Sequence, residues 1–596
     1  MRRSLYNTIR TILVLALALS FLAGANKPVQ AETCTWLGGT NNDWSVASNW
    51  SCGVPDITDD VIIPSGTTNE PTIPVTTGVT VNTITINSGA TLTILKGSVV
   101  NAATWTINGA LVANAADSPI SLNSQPWPGG GVMNVSSTGS ITKLGLDDLF
   151  ICAALNNAGS VIFNEHGSGY GGVALIRGGT HTGIFQGEYL FVGNDYEASG
   201  QVFNFNSGSQ LHVNQLHARG GTVNILGTYS PPVTGSYLFL TNDNGSCVVH
   251  ILDGADVLRM AETTNINSGG KLILESQSYD YSMPKVSLDY NGELQNNDDL
   301  TITTQFNWLA GKLTGNGTTT VDDTATFTMG MSVYSQNDFT LDNQTLINNS
   351  TANWNKRDLT FVNSATFVNN GTFNANETTT MTGGETVTFT NNGTFFKNTP
   401  ATTTTMNVGF INDGDVQINE GNLEFLLGMD NGDDTTIVLN GGRLDPGDEL
   451  LLESGDSLIG SGTLTANLVN TGTVSPGASP GIITVDGDYT QQADGILEIQ
   501  LGGTTPSLFD RLIVTGAASM AGTLNVTLLP GFSPQEGDTF FIVNHLTSET
   551  GNFSIENLPD LPGSLMFEID YADPGVTLTV VSRSTDTFIF LPMIIK

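Results

Sequence analysis

Short segments in which apolar and polar residues alternate recur along most of the chain, each preceded by a glycine-containing turn. The clearest set is "VNNGTFNAN", "TNNGTFFKN" and "INDGDVQIN", around Gly371, Gly393 and Gly414. A period of two is typical of a β-strand with one buried face, and Asn-Gly marks a tight turn. Within such sets, neighbouring glycines lie 19 to 22 residues apart. The pattern predicts an all-β chain built from repeats.

A unit of about 20 residues is too small to bury its own apolar face, so it must stack on its neighbours. Coiling the chain with one unit per rung gives a right-handed parallel β-helix, a β-solenoid. The alternative is a string of β-sandwich domains, which carry about seven strands per roughly 100 residues. Because the similarity recurs near 20 residues, we predict the solenoid.

The chain divides into five predicted segments. They are a signal peptide (1–31), a Trp- and Cys-rich N-terminal cap (32–75), solenoid repeats (76–480), a β-rich closing module (481–583) and an apolar tail (584–596). The first segment has a cationic start, the apolar run "TILVLALALSFLAG" and the cleavage-site pattern "VQA", which are the parts of a secretory signal. We therefore expect a secreted or cell-surface protein with no membrane-spanning segment after cleavage.

The net charge of −37 changes the list of expected partners. Nucleic acid is excluded, because its binding rests on neutralising phosphates. Charged residues make up only 13% of the chain, so its polarity comes mainly from Thr, Asn and Ser. We predict no cofactor. Calcium stays open on charge alone, since the sequence contains neither an EF-hand loop nor a Gly-Gly-x-Gly-x-Asp repeat.

Three of the seven tryptophans and two of the four cysteines lie in "CTWLGGTNNDWSVASNWSC". A Cys34–Cys52 disulfide would close this short loop. We predict that Trp36, Trp44 and Trp50 fold under this loop as a plug on the open end of the solenoid, with at least two of the three rings mostly buried. The alternative is a sugar-binding platform of exposed, coplanar rings. Whether Cys152 and Cys247 pair stays open.

Two stretches resemble known secreted proteins. From Ser475 to Phe541 the chain carries "SPG-x-SPG", "DG-x-Y", "FD-x-L-x-V-x-G", "GTL-x-V-x-L" and "GD-x-F" in order. This resembles the closing segment of β-helical passenger domains of bacterial autotransporter adhesins and related secreted repeat proteins. The pattern "W-(x)5-W-(x)3-VP-(x)3-D-x-V-x-IP" from Trp44 to Pro64 resembles the N-terminal motif of secreted bacterial adhesin-like proteins. Together the two resemblances cover about a fifth of the chain.

The resemblance implies a β-helix that is closed at its C-terminal end and has an adhesive role. The sequence departs from autotransporters in one respect, since only 15 residues follow Val581. That leaves no room for a membrane barrel, so self-secretion through an outer membrane is not implied.

Five of the six histidines fall between residues 166 and 250, in the region richest in groups that bind ligands. No metal-ligand spacing such as HExxH is present. One interpretation is that these residues are surface side chains of a wider coil and have no binding role. The functional interpretation is a carbohydrate or metal patch on one lateral face, with the candidate residues His166, Tyr170, Arg177, His181, Tyr189, Tyr196, His212 and His217.

We name no catalytic residue. The sequence contains pairs of adjacent Asp residues, which could suggest an acid–base pair. Neighbouring residues of a strand point to opposite faces, however, so two adjacent Asp residues in a strand do not make such a pair. The sequence predicts a non-catalytic structural or adhesive protein whose partners are carbohydrate or cell-surface components. Two alternatives stay open. A polysaccharide lyase or glycosidase would need acidic and basic residues converging on one rung face, and a glycan-binding module would need a row of exposed aromatic rings.

Overall fold

The structure is a computed structural model. It describes residues 31–583 except 125–129, 164–170, 194–199, 243–246, 331–337, 478–479, 546 and 573. The predicted signal peptide, apart from Ala31, and the predicted apolar tail therefore lie outside the described residues. The chain divides into two compact units, the first of residues 1–193 and 202–213, and the second of residues 194–201 and 214–596. The predicted domain boundaries stay predictions.

In chain order, strands β1 to β17 of the first unit are Thr33–Thr35, Asp60–Ile63, Thr72–Ile73, Gly78–Ile86, Thr91–Leu95, Val99–Ile107, Ala110–Asn114, Ile120–Leu122, Val132–Val135, Ser140–Leu144, Leu149–Ile151, Ala154–Asn157, Ser160–Phe163, Val173–Leu175, Gly179–His181, Ile184–Val192 and Val202–Phe205. Strand β18, Gln210–Ala218, contains residues of both units.

Strands β19 to β59 of the second unit are Gly221–Ile225, Thr228–Tyr229, Tyr237–Leu240, Cys247–Ile251, Asp256–Val257, Thr263–Ile266, Gly270–Leu274, Tyr281–Leu288, Glu293–Asn296, Asp299–Trp308, Gly311–Thr314, Thr318–Val321, Thr326–Met329, Phe339–Asp342, Thr345–Asn348, Thr351–Trp354, Leu359–Val362, Thr366–Asn369, Thr372–Ala375, Thr379–Asn391, Thr394–Lys397, Thr403–Asn412, Asp415–Ile418, Asn422–Phe425, Met429–Asn431, Thr436–Asp445, Leu450–Leu452, Ser457–Leu464, Leu468–Asn470, Thr473–Pro476, Ile482–Val485, Tyr489–Gln491, Ile496–Leu501, Arg511–Val514, Ala518–Met520, Thr523–Leu528, Thr539–His545, Glu549–Gly551, Ile555–Asn557, Leu565–Asp570 and Gly575–Ser582.

These strands form a parallel β-solenoid of about 18 turns, which confirms the predicted fold class. A representative coil contains β32, β33 and β34, and these pair in parallel with β35, β36 and β37 of the next coil. Thr351 of one coil lies beside Thr372 of the next, an offset of 21 residues that agrees with the glycine spacing. Each coil therefore contributes one strand to each of three parallel ladders.

Alternate residues of each strand point into the solenoid, as strand β40 shows with its strict alternation of buried and half-buried residues. Side chains at the same register position then stack from coil to coil. Phe367, Phe389 and Phe410 form such a column, with ring centroids 4.9 and 5.5 Å apart and nearly parallel planes. The core is a set of apolar columns rather than a layer between two sheets.

The strand pairing changes at the C-terminal end of the second unit. Strand β55 pairs antiparallel with β59, and β59 pairs antiparallel with β58. Besides strands, the described residues contain one 3-10 helix, Ala47–Asn49, and no α-helix. No helix in the described part of the chain is long and apolar enough to span a membrane.

Candidate functional site

The Trp- and Cys-rich loop of the first unit is held by a disulfide between Cys34 and Cys52, as predicted. Trp36, Trp44 and Trp50 lie beside it and are at most 4% exposed. The ring of Trp50 meets the two other rings edge to face, with centroids 4.9 Å from Trp36 and 4.6 Å from Trp44. A sugar-binding platform needs exposed, coplanar rings, and these rings are neither.

Hydrogen bonds fix two of the three indole groups of this cluster. Trp36 donates from Nε1 to the carbonyl of Asn69 at 2.7 Å, and Trp50 donates from Nε1 to the carbonyl of Trp44 at 2.8 Å. A buried indole N–H needs such a partner, because an unpaired donor costs about 1–3 kcal/mol. The rings therefore belong to the packed interior of the first unit.

Within the described residues, one group has the spacing to hold a metal ion, and it contains Cys34, Cys52 and Asp59. The two sulfur atoms are bonded to each other. Metal coordination by cysteine uses the thiolate, so the disulfide removes two of the three ligands. This group is not a metal site while the disulfide is intact.

The histidine-rich candidates are only partly covered by the structure. His166, Tyr170 and Tyr196 lie outside the described residues. Of the others, Arg177, His181, Tyr189 and His212 belong to the first unit, and His217 belongs to the second unit. Ligand binding by these residues stays a prediction, but their positions show which of them can take part in a surface.

His181 faces the interior of the solenoid, which corrects its expected place on a lateral face. Its side chain is fully buried and lies 4.9 Å from the ring of Phe185 and 4.7 Å from the ring of Phe205. Neither ring nitrogen has a hydrogen-bond partner. Burial lowers the pKa of His181 to about 3, because a charged imidazole is costly in apolar surroundings. His181 is a neutral core residue.

Tyr189 and Arg177 are half-buried on the outer surface of the first unit. The Tyr189 ring is nearly parallel to that of Phe191, with centroids 6.3 Å apart. Phe191 forms an outward apolar cluster with Ala174 and Ile176. This aromatic pair is part of local packing rather than a row of exposed rings.

The two remaining histidines each contact a glutamine two residues earlier in the chain. His212 is half-buried, with Nε2 at 3.4 Å from Oε1 of Gln210. His217 is buried, with Nε2 at 3.1 Å from Oε1 of Gln215. Burial, together with the charge of Arg219, lowers the pKa of His217 to about 4. His217 is therefore neutral at physiological pH.

A groove that the sequence did not reveal runs across four consecutive coils of the first unit. We call it the first-unit groove; its volume is about 420 Å³, and its lining includes Thr106, Asn134, Ser136, Asn156, Thr180 and Thr182. Strand register aligns Thr106 with Asn134 and Asn134 with Asn156. These residues are 28 and 22 positions apart in sequence, so no fixed repeat length connects them.

A second groove, of about 460 Å³, lies on the second unit and is lined by Glu293, Thr314, Asp342 and Asn363 among others. Glu293 pairs with Lys271 at 2.8 Å and accepts a hydrogen bond from Thr314 at 2.9 Å. Asp342 accepts a hydrogen bond from Asn363 at 2.8 Å. Both carboxylates already have protein partners, and they lie on strands two coils apart.

Comparison with known proteins adds little to the fold. A family model described as a domain of unknown function (DUF8693) matches residues 35–125, which include the Trp- and Cys-rich loop. No curated protein matches the sequence. This match covers less than half of the chain, so it does not assign the whole chain to a family.

The solved structures that are similar to this chain include two bacterial surface proteins. The Hap adhesin of Haemophilus influenzae has 13% identity and a TM-score of 0.32, over 88% of this chain and 63% of that one. The autotransporter UpaB of E. coli strain CFT073 has 12% identity and a TM-score of 0.18, over 93% and 99%. The chain thus spans less than two thirds of the Hap structure. Because both TM-scores lie below 0.5, the fold assignment rests on the strand pairing.

Proposed function

We propose that this chain is an exported, non-catalytic β-helical protein of the cell surface or extracellular space, with a structural or adhesive role. The observation that carries the proposal is the outer surface of the solenoid, on which Thr and Asn side chains recur in register. Thr326, Thr351, Thr372 and Thr394 form one such column. Such columns offer the same polar groups at strand spacing, about 4.8 Å, over consecutive coils.

A second outward column is made of amides that bind one another. Asn374 donates to Asn353 at 3.1 Å, Asn398 to Asn374 at 3.0 Å, and Asn419 to Asn398 at 2.7 Å. These hydrogen bonds orient the amides before any partner arrives, which lowers the entropy lost on binding. A regular, oriented polar surface suits contact with an extended partner better than chemistry at one point.

Export is supported by the Cys34–Cys52 disulfide, because disulfides persist in oxidising compartments and are rare in the cytosol. The signal-peptide pattern of residues 1–31 agrees with it. The high negative charge also favours a solvated protein that remains monomeric and soluble.

The proposal is tested by adherence. Beads coated with the protein recovered after export should bind to cells or to extracellular matrix above the level of beads coated with an unrelated protein of similar acidity. That control removes non-specific attraction due to charge. Adherence equal to the control on every surface tried would contradict the adhesive role. A parallel assay for release of reducing sugar tests the enzymatic alternative.

A further inference from the structure

We infer that the first-unit groove binds an uncharged polysaccharide. The inference rests on the proposed adhesive function and names the partner class that one surface would recognise. The groove crosses four strands, β6, β9, β12 and β15, and therefore extends over three strand spacings, or about 14 Å. That length and a volume of about 420 Å³ fit several sugar rings of an extended chain better than one ring.

The lining of the groove supplies hydrogen-bonding groups without charge. Every lining residue is Thr, Asn, Ser, Ala or Val. In the described part of the chain, Nδ2 of Asn134 and the hydroxyls of Thr106 and Thr180 have no protein partner within hydrogen-bonding distance. These groups remain available to donate or accept hydrogen bonds, as a polyhydroxylated ligand requires.

Two contacts hold the amides of the groove in one orientation. Asn156 donates from Nδ2 to Oδ1 of Asn134 at 3.0 Å, and the backbone N–H of Thr180 donates to Oδ1 of Asn156 at 3.2 Å. The free Nδ2 group of Asn134 is therefore presented in a fixed direction. Pre-orientation of this kind increases affinity by lowering the entropic cost of binding.

Charge decides which class of polymer fits. An anionic polysaccharide would be repelled by a protein of net charge −37. A cationic ligand would be attracted to carboxylates such as those of the second groove, whereas this groove contains none. An uncharged ligand escapes both effects, and the Thr methyl groups and Ala158 offer apolar contact to the C–H faces of sugar rings.

A peptide is the less favoured ligand of the same length. Peptides that add to a β-sheet need an unpaired strand edge, and the strands here are paired on both sides, as β9 is with β6 and β12. The lining also contains no aromatic, Leu, Ile or Met residue that would form an apolar pocket for a peptide side chain. Polysaccharide hydroxyls need neither feature.

The test is calorimetric titration of the exported protein with cellohexaose, mannohexaose and chitohexaose. Oligogalacturonate and an uncharged peptide serve as contrasts. We expect at least one neutral oligosaccharide to bind and the contrasts not to bind. The double substitution Asn134→Ala with Asn156→Ala should weaken that binding at least tenfold. Thr180→Val, which keeps the shape of an exposed side chain, should weaken it several-fold if the double variant does not fold.

The matched control is Asn82→Ala, which removes a half-buried amide of the first unit that donates to Asp60 at 2.8 Å and does not line the groove. It should leave affinity unchanged. The inference is overturned if no neutral oligosaccharide binds, if the groove variants bind as tightly as the unmodified protein, or if only the peptide or the anionic sugar binds.

The bead assay separates this inference from the proposed function. Coated beads that adhere, on a protein whose titration shows no binding of a neutral oligosaccharide, would overturn the groove assignment and leave the adhesive role standing. Titration showing sugar binding that the substitutions abolish, on a protein whose beads do not adhere, would support the groove and contradict adhesion.

Discussion

Asn431 donates a hydrogen bond from its side-chain Nδ2 to Oδ2 of Asp456 at 3.1 Å, and this contact ends a ladder of amides inside the second unit. Upstream, each amide donates to the next at 2.8 Å, in the order Asn348, Asn369, Asn391, Asn412 and Asn431. All donors point toward the carboxylate. The aligned amide dipoles therefore present their positive ends to a buried anion, and chains of this kind strengthen each member.

Asp456 should be the most sensitive position of this ladder. Besides Asn431, its carboxylate accepts from the backbone N–H groups of Thr435 and Glu453, each at 2.9 Å, and from the Thr435 hydroxyl at 2.9 Å. Asp456→Asn turns one acceptor oxygen into a donor that faces other donors. We expect a loss of about 2–3 kcal/mol in the free energy of unfolding, measured by urea denaturation.

Asp433→Asn is the control for that substitution, because Asp433 is exposed in the same region and surface changes stay within about 0.5 kcal/mol. Hydrogen exchange of residues 429–460 should increase only in the Asp456 variant. Equal stabilities of the two variants would contradict the view that the carboxylate anchors the ladder.

The repeated turn glycines should tolerate no side chain where successive coils approach closely. A Cβ atom at Gly393 would lie 2.0 Å from the carbonyl oxygen of Gly371 in the preceding coil. Since the obstacle is backbone, Gly393→Ala must shift one coil against another, and we expect a loss of about 2 kcal/mol or more. Thermal unfolding measures it.

Gly78→Ala provides the comparison for Gly393→Ala. Gly78 lies in a strand, does not have a left-handed φ, and a Cβ there would meet no atom within 4 Å. Alanine at such a site lowers the entropy of the unfolded chain and should be neutral or stabilising by about 0.5 kcal/mol. A comparable loss in both variants would show that coil spacing is not the cause.

The solenoid and part of its polar interior could be predicted from the sequence, because each depends on a pattern of constant length. Asn348, Asn369, Asn391 and Asn412 occupy the same place in successive repeats. Asp456, which accepts a hydrogen bond from the last amide of the ladder, lies beyond these Asn repeats, so the repeat pattern does not predict it. The groove was hidden because its residues align through coils of unequal length.

The disulfide should stabilise the Trp cluster mainly by restricting the unfolded chain. Cys34 and Cys52 are 18 residues apart, and closing a loop of that length is worth about 3 kcal/mol. We expect Cys34→Ser with Cys52→Ser to lower the unfolding free energy by about that amount. The fluorescence of Trp36, Trp44 and Trp50 should shift to longer wavelength at a lower denaturant concentration.

Cys152→Ser is the control for the disulfide variant, because Cys152 forms no disulfide. Reduction of the unmodified protein should reproduce the effect of the double substitution, and reduction of the double variant should have no further effect. Unchanged fluorescence after reduction would show that packing alone holds the loop.

Stability should fall as the pH falls below 6.5, and His181 should contribute to the slope. In the folded protein its pKa is about 3, whereas an unfolded histidine has a pKa near 6.5. Between these values the unfolded state binds more protons, so stability is full above about pH 6.5 and is lost progressively toward pH 3. At pH 5 the loss due to His181 amounts to about 2 kcal/mol.

His181→Phe, which continues the column occupied by Phe205 in the next coil, should remove that share. The measurement is the unfolding free energy of both proteins from pH 7.5 to 4.5. Their difference should be constant above pH 7 and should shift in favour of the variant as the solution is acidified. Parallel curves over the whole range would mean that His181 is solvated or paired in solution, contrary to its position between two phenylalanine rings.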